Sequence, residues 1–118
     1  MTPRDEALAF LRKAGWSWDG LKAAFKSEKA IRQETVVLLA SVILTFIVPV
    51  SPAERILLIV LPILLLATEL LNTAIEEIID FVCPEQHPIA KKAKDCGSAA
   101  VALVAISLGL AWLIVLVS

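Results

Sequence analysis

The chain has 118 residues, 58% of them hydrophobic and 19% charged, with a mean hydropathy of +0.82. That length fits one domain, and that composition argues against a water-soluble globule. Eleven Lys and Arg oppose twelve Asp and Glu for a formal charge of −1, so no net basic charge draws the chain to nucleic acid.

In chain order, residues 1–30 carry Leu8, Phe10, Leu11, Trp16, Trp18, Leu21 and Phe25 interleaved with basic residues, and Gly15 and Gly20 mark expected irregular points. At about 100° per residue, Leu11, Trp18, Leu21 and Phe25 share a stripe about 80° wide, with Leu8 set aside. An amphipathic surface helix fits this pattern. A plain headgroup anchor fits it equally, because aromatic and basic residues are common at that level. The charged character of these residues gives no apolar core segment for a cleaved signal peptide.

Three membrane spans are expected next, over residues 31–50, 55–80 and 97–117. The last is the clearest, since Ala99 to Val117 supplies about twenty apolar residues rising roughly 1.5 Å each across a hydrocarbon layer of roughly 30 Å. The first joins the apolar run Val36–Val50 to an opening turn at Ile31–Glu34, and Pro49 with Ser51-Pro52 ends it. In the second, the uncharged run Ile56–Thr68 is short, but the helical pattern continues through Asp80 and carries acids into the membrane. A β-barrel would need many alternating segments that are not present. The fold class is therefore an all-α membrane protein, one surface helix and three transmembrane helices in a single domain over 1–118.

Orientation follows from the basic residues. Arg4, Arg12, Lys13, Lys22, Lys26, Lys29 and Arg32 precede the first span, Lys91, Lys92 and Lys94 follow the second, and Arg55 alone lies between them. The amino end and the loop over residues 81–96 are then expected inside, and the Pro49–Arg55 turn and the carboxyl end outside. Cys83 and Cys96 would face a reducing compartment with no chemistry of their own, and with the single His87 they do not complete a Cys/His zinc set.

The second span carries the chemistry. Glu69, Asn72, Glu76 and Asp80 fall within an arc of about 80° over three turns, with Glu77 at its margin. Ionisable groups at membrane depth usually face a protein interior or a wet cavity. The alternative is a structural ladder joining helices through Asn72 and protonated acids. Carboxylates suit two tasks, holding Mg²⁺ and general-base work. Mg²⁺ takes one or two of them and completes its shell with water and phosphate, which fits Glu76 with a partner outside this helix. Glu69 lies two turns deeper and is the better base candidate.

After Pro84 and Pro88, the start of the next helix places Lys91, Lys94, Asp95 and Ser98 on one side. A lysine there could offset charge on a transferring phosphate, or it could only set topology. The small residues Ser98, Ala99 and Ala100 favour close packing or approach of a lipid headgroup. No Walker loop, dinucleotide fingerprint, HExxH or Ser/His/Asp arrangement is visible. One copy of so short a chain would hardly enclose both a lipid and a polar substrate, so sites shared between subunits are plausible.

The segments Glu69-Leu70-Leu71-Asn72-Thr73-Ala74-Ile75-Glu76 with Asp80, Glu85-Gln86-His87, and Ala93-Lys94-Asp95-Cys96-Gly97-Ser98-Ala99-Ala100-Val101 resemble the small prokaryotic integral-membrane diacylglycerol kinases. Lys13-Ala14-Gly15-Trp16-Ser17-Trp18, Gly20-Leu21, Glu28 and Arg32-Gln33-Glu34 extend the resemblance over nearly the entire chain. It implies a homotrimer in the bacterial inner membrane that transfers the γ-phosphate of MgATP to the hydroxyl of diacylglycerol, giving phosphatidic acid. By the same resemblance Glu69 would be the base, supported by Asn72, and Glu28 and Glu76 would hold the metal. Trp16, Glu28, Glu76, Glu85, Gln86, His87, Lys94 and Asp95 would contact the nucleotide. The lipid side would comprise Lys13 to Trp18 (including Ala14, Gly15 and Ser17), Lys22, Ala30, Ile31, Arg32, Gln33, Glu34, Glu69, Ser98 and Trp112. Two positions depart from the family pattern: Ala9 stands where an Arg is frequent, and Trp16 where Tyr is commoner.

Two other readings are distinguishable. An undecaprenol kinase would share the acid segments and differ in its lipid, and Gly97-Ser98-Ala99-Ala100 with the long aromatic amino-terminal helix looks more like the diacylglycerol branch. A non-catalytic membrane assembly or ion-conducting protein would use the polar stripe to line a wet interior.

Overall fold

A computed structural model describes residues 1–118 as four helices: α1 (Pro3–Ser27), α2 (Lys29–Ile47), α3 (Pro52–Val82) and α4 (Pro88–Val117). The last three are each long and apolar enough to cross a membrane. α3 packs between α2 and α4, which make no backbone approach to each other. The chain measures 48 × 47 × 24 Å. A helix the length of α4 spans about 45 Å, so the bundle fills one long dimension, and α1, about 37 Å long, projects sideways to fill the other.

The inward faces follow helical spacing. α3 buries Leu58, Pro62, Leu65, Glu69, Asn72 and Thr73. α4 buries Gly97, Leu108 and Ala111, and α2 buries Ile31, Ser41 and Thr45. The outward faces leave Val36, Leu39, Ile63, Leu103, Ile106 and Leu113 exposed, as expected of helices whose solvent is lipid.

Two prolines shape the bundle. Pro62, inside α3, has no N–H to give the carbonyl of Leu58 four residues back. The Ser41 hydroxyl of α2 donates to that carbonyl at 2.7 Å, and the indole N–H of Trp112 in α4 donates to Ser41 at 2.9 Å. Pro49 likewise deprives the carbonyl of Thr45, and Arg55 in the first turn of α3 donates to it through Nε and Nη2 at 3.3 and 3.2 Å. The Arg55 guanidinium also lies 4.8 Å from the centre of the Phe46 ring. Both carbonyls that proline leaves open are thus closed by side chains from another helix.

Three local expectations are corrected. Gly15 and Gly20 interrupt nothing, because α1 runs unbroken through both. A glycine in a helix interior costs only about 1 kcal/mol against Ala, and a capping box between Thr2 and Asp5 secures the start. The actual break is at Glu28, whose backbone is extended, and Arg32 holds the elbow by donating Nη1 to the carbonyls of Phe25 and Lys26 at 2.8 and 3.0 Å. These belong to the last carbonyls of α1, which have no intrahelical partner. The helix start expected after Pro88 is found there, and the connection, expected to reach residue 96, is only Cys83–His87. Pro88 suits the first helical position and the His87 ring Nδ1 accepts from the Ile89 N–H at 3.1 Å, so α4 starts well before Gly97.

Candidate active site

The polar stripe of α3 faces the interior. Glu69 and Asn72 are buried and Glu76 is half-buried, and the Asn72 amide donates to Glu76 Oε1 at 3.2 Å. Glu34 of α2 lies against Glu69, and Glu28 lies within electrostatic reach of it. One carboxyl oxygen of Glu34 and the Asn72 Oδ1 are enclosed without a hydrogen-bond partner. Glu69 thus faces carboxyl groups of both α2 and α3, with Glu28 of the elbow on the same side.

Gly97 is what lets α4 close on this group. A Cβ at Gly97 would fall well inside van der Waals contact distance of Asn72 Oδ1, so any side chain there displaces the amide that holds Glu76. Sequence reading did not single out this glycine among the small residues that open the third span, and a close approach between two helices has no local signal.

A second region lies beyond the end of α3. An open cleft of about 670 Å³ is walled by Asp80, Glu85, Gln86, His87, Lys94 and Asp95, with Cys83 and Lys91 at its edge. All five nucleotide-contact positions expected on the connection and α4 meet here, while Glu76, Glu28 and Trp16 do not line it. Lys94 pairs with Asp80, and Lys91 with Asp95 at 2.6 Å. Asp80 therefore sits with this cleft as the lysine's partner, although its angle on the helix groups it with Glu69. The Glu85 carboxyl is held below its usual range by its own backbone N–H and then by the Cys83 thiol, which donates to Glu85 Oε1 at 3.3 Å. The same hydrogen bond, with partial burial and the negative charge, pushes the Cys83 thiol up.

The expected lipid-contact residues divide. Trp16 and Trp18 are largely exposed on α1, with Lys13, Ala14, Gly15 and Lys22 also exposed, and Lys22 Nζ lies 5.8 Å from the centre of the Trp18 ring. The Ser17 hydroxyl donates to the Lys13 carbonyl and borders a groove of about 470 Å³ between α1 and α3. Thr73 and Glu77 border the same groove from α3. Ile31 is wholly enclosed by the chain itself, Ala30 is half-buried, and Gln33 and Ser98 are exposed. Arg32 is engaged with the end of α1. Trp112 sits about five turns along α4 from Lys94, tied to Ser41 and apart from the acid group.

Within one chain no three Asp, Glu, His or Cys side chains converge in a metal-holding set. The donor chemistry still suits Mg²⁺, which needs only one or two carboxylate oxygens alongside water and phosphate.

The description "Prokaryotic diacylglycerol kinase" belongs to the family model that matches residues 15–116. The chain belongs to the prokaryotic diacylglycerol kinase family. Diacylglycerol kinase of Escherichia coli K12 is 41% identical over 106 residues, covering 90% of this chain and 87% of that protein. Diacylglycerol kinase of Pseudomonas aeruginosa is 44% identical over 90 residues, covering 76% and 73%. Diacylglycerol kinase of Helicobacter pylori strain 26695 is 42% identical over 85 residues, covering 72% and 66%. The matched residues include the acid stripe of α3, the Cys83–His87 connection and the start of α4. This family member is thus a membrane-embedded lipid kinase with three helices fit to span the bilayer.

Proposed function

We propose that the chain phosphorylates diacylglycerol with ATP at the boundary between bilayer and water, with Glu69 as general base and the cleft at Lys94 as nucleotide site. The observation that carries this reading is the buried Glu69, set on the face of α3 beside Glu34, Asn72 and Glu76 in a chain of this family. Glu69 takes the proton from the lipid hydroxyl as that oxygen bonds to the γ-phosphorus. The bond from the γ-phosphorus to the β,γ-bridging oxygen breaks, and ADP leaves with that electron pair. A carboxylate in an apolar layer is suited to this, because the water that would otherwise solvate it is excluded.

Asn72 orients Glu76 through its amide. Glu76 and Glu28 would hold Mg²⁺, which when bound supplies positive charge against the phosphates. Glu85, Gln86, His87, Lys94 and Asp95 wall the nucleotide cleft, and Lys94 exchanges Asp80 for phosphate when ATP enters. Trp16 and the other exposed side chains of α1 rest at the headgroup level and meet the lipid substrate, with Glu34 between that helix and Glu69. The sideways projection of α1 and its exposed Leu11, Trp16, Trp18 and Phe25 support that placement.

The reading includes a homotrimer in the bacterial inner membrane, its sites shared between subunits. The amino end and the Cys83–His87 connection face the cytoplasm and the carboxyl end faces outward, as the Lys and Arg distribution favours.

The test is transfer of labelled γ-phosphate by purified protein in mixed micelles with Mg²⁺, with diacylglycerol and undecaprenol offered in parallel. Label in phosphatidic acid is expected. Label mainly in undecaprenyl phosphate would move the chain to a polyprenol kinase activity, and no label in folded protein would overturn the kinase reading.

A further inference from the structure

We infer that Ser41 is a positioning residue for Glu69, acting through the Leu58 carbonyl that Pro62 leaves open and held in place by Trp112. Ser41 and Leu58 are both enclosed, with exposures of 3% and 0%, so water does not reach the carbonyl in their place. In lipid an open backbone acceptor has no solvent to turn to, and the helix must find a donor or deform. Ser41 is that donor, at 2.7 Å. Its hydroxyl has a single hydrogen, and the Trp112 N–H approaching from α4 at 2.9 Å takes the lone-pair side and aims the hydrogen at Leu58. One hydroxyl therefore joins α2, α3 and α4 at the point where α3 is least able to hold its own shape.

The consequence for the site is geometric. Leu58, Pro62, Leu65, Glu69 and Asn72 form one buried line on α3, so the junction at the Leu58 carbonyl lies about three turns from Glu69 on the same face. Glu34, which meets Glu69, lies about two turns from Ser41 on α2. Ser41 thus fixes the register of the two helices whose carboxyls face each other. A shift of about 1 Å at a reacting group can cost as much as a hundredfold in rate. Trp112, expected from family resemblance to lie in the lipid surroundings, acts in this junction.

The inference rests on the reading of Glu69 as the base, and it is tested by a double-mutant cycle on the full-length protein. Turnover of diacylglycerol and KM for MgATP are measured for the wild type, Ser41→Ala, Ser41→Thr, Pro62→Ala and the Ser41→Ala/Pro62→Ala pair, each normalised to folded protein. Ser41→Ala should lower kcat about tenfold with KM for MgATP unchanged. Ser41→Thr, which keeps the hydroxyl, should stay within about threefold of the wild type. Pro62→Ala restores an N–H to the Leu58 carbonyl, so in that background Ser41→Ala should change kcat by less than about twofold.

Equal losses from Ser41→Ala in both backgrounds, or a Ser41→Thr loss as large as that of Ser41→Ala, would overturn the inference. Glu69→Gln is measured alongside. If it retains turnover, the base assignment falls and this inference with it; if it abolishes turnover while the cycle shows no coupling, this inference alone falls.

Discussion

The two polar regions of this chain are built on opposite plans. Around Glu69 the groups are buried or half-buried, and two of the oxygens there, on Glu34 and Asn72, have no partner. Around Lys94 the charges lie nearer solvent, and each lysine already holds an acid. The first region is kept in place by helix packing, which suits the proposed general-base role of Glu69. The second is a set of exchangeable ion pairs that a phosphate can enter by competition, because exposed pairs of this kind contribute only about 0–1 kcal/mol. On the proposed reading the two plans serve two substrates, a fixed base for the lipid and an adaptable cleft for the nucleotide.

After loss of the base itself, the largest effect should come from breaking the packing of the first region. Gly97→Ala drives a methyl group into Asn72, so turnover should fall at least tenfold, roughly, with stability lowered by about 1–3 kcal/mol. Steady-state kinetics with thermal unfolding of the same preparation would show this, and wild-type behaviour would mean that α4 does not press on Asn72 during turnover.

The second region should answer differently to the loss of a charge. Lys94→Met should raise KM for MgATP about tenfold, whereas Asp80→Asn should alter stability by less than about 1 kcal/mol, since the pair it breaks is largely exposed. Nucleotide titrations and unfolding curves separate the two. A large unfolding effect of Asp80→Asn would make the pair a structural element and erase the contrast between the regions.

Smaller effects sharpen the picture of the cleft. Because the hydrogen bond to Glu85 pushes the Cys83 thiol up, its alkylation should be slow near neutral pH and gain speed only above the usual thiol range. MgATP should slow it further, and mass spectrometry of the alkylated peptide is the readout. Glu85→Gln removes the charge and should accelerate the reaction a few-fold at neutral pH.

The smallest effect lies far from both regions. Hydrogen bonds from the Thr2 N–H and hydroxyl depress Asp5 in the folded protein, so its contribution is present above the ordinary Asp range and is lost as pH falls through the lowered value. The first turn of α1 should fray there while the rest of the helix persists, as amide exchange would show.

How much of this was legible in the sequence depended on whether a signal was periodic or tertiary. The three spans and the inward face of α3 follow from hydropathy and a period of 3.6, and Glu69, Asn72 and Glu76 share that face in the structure. Asp80 has the same period, yet it sits where α3 leaves the bundle, and the lysine it meets starts another helix.

The family resemblance places Glu34 on the lipid side, and its neighbour Glu69 becomes visible only when α2 and α3 pack together. Ser41 and Thr45 read as stray polar residues in an apolar run. A signal for them existed in Pro62 and Pro49, since each proline marks an open carbonyl four residues earlier that must find a donor. The elbow at Glu28 had no such mark. No glycine or proline stands there, and the cap comes from Arg32, seven residues beyond Phe25.

The most direct test of the central claim, a fixed base separate from the nucleotide cleft, is MgATP binding and phosphoryl transfer measured on the same preparation of Glu69→Gln. The account predicts that the variant binds MgATP with an affinity within about threefold of the wild type while transfer to diacylglycerol falls at least a hundredfold, roughly. Transfer at near wild-type rate would contradict it, and so would loss of nucleotide binding together with activity.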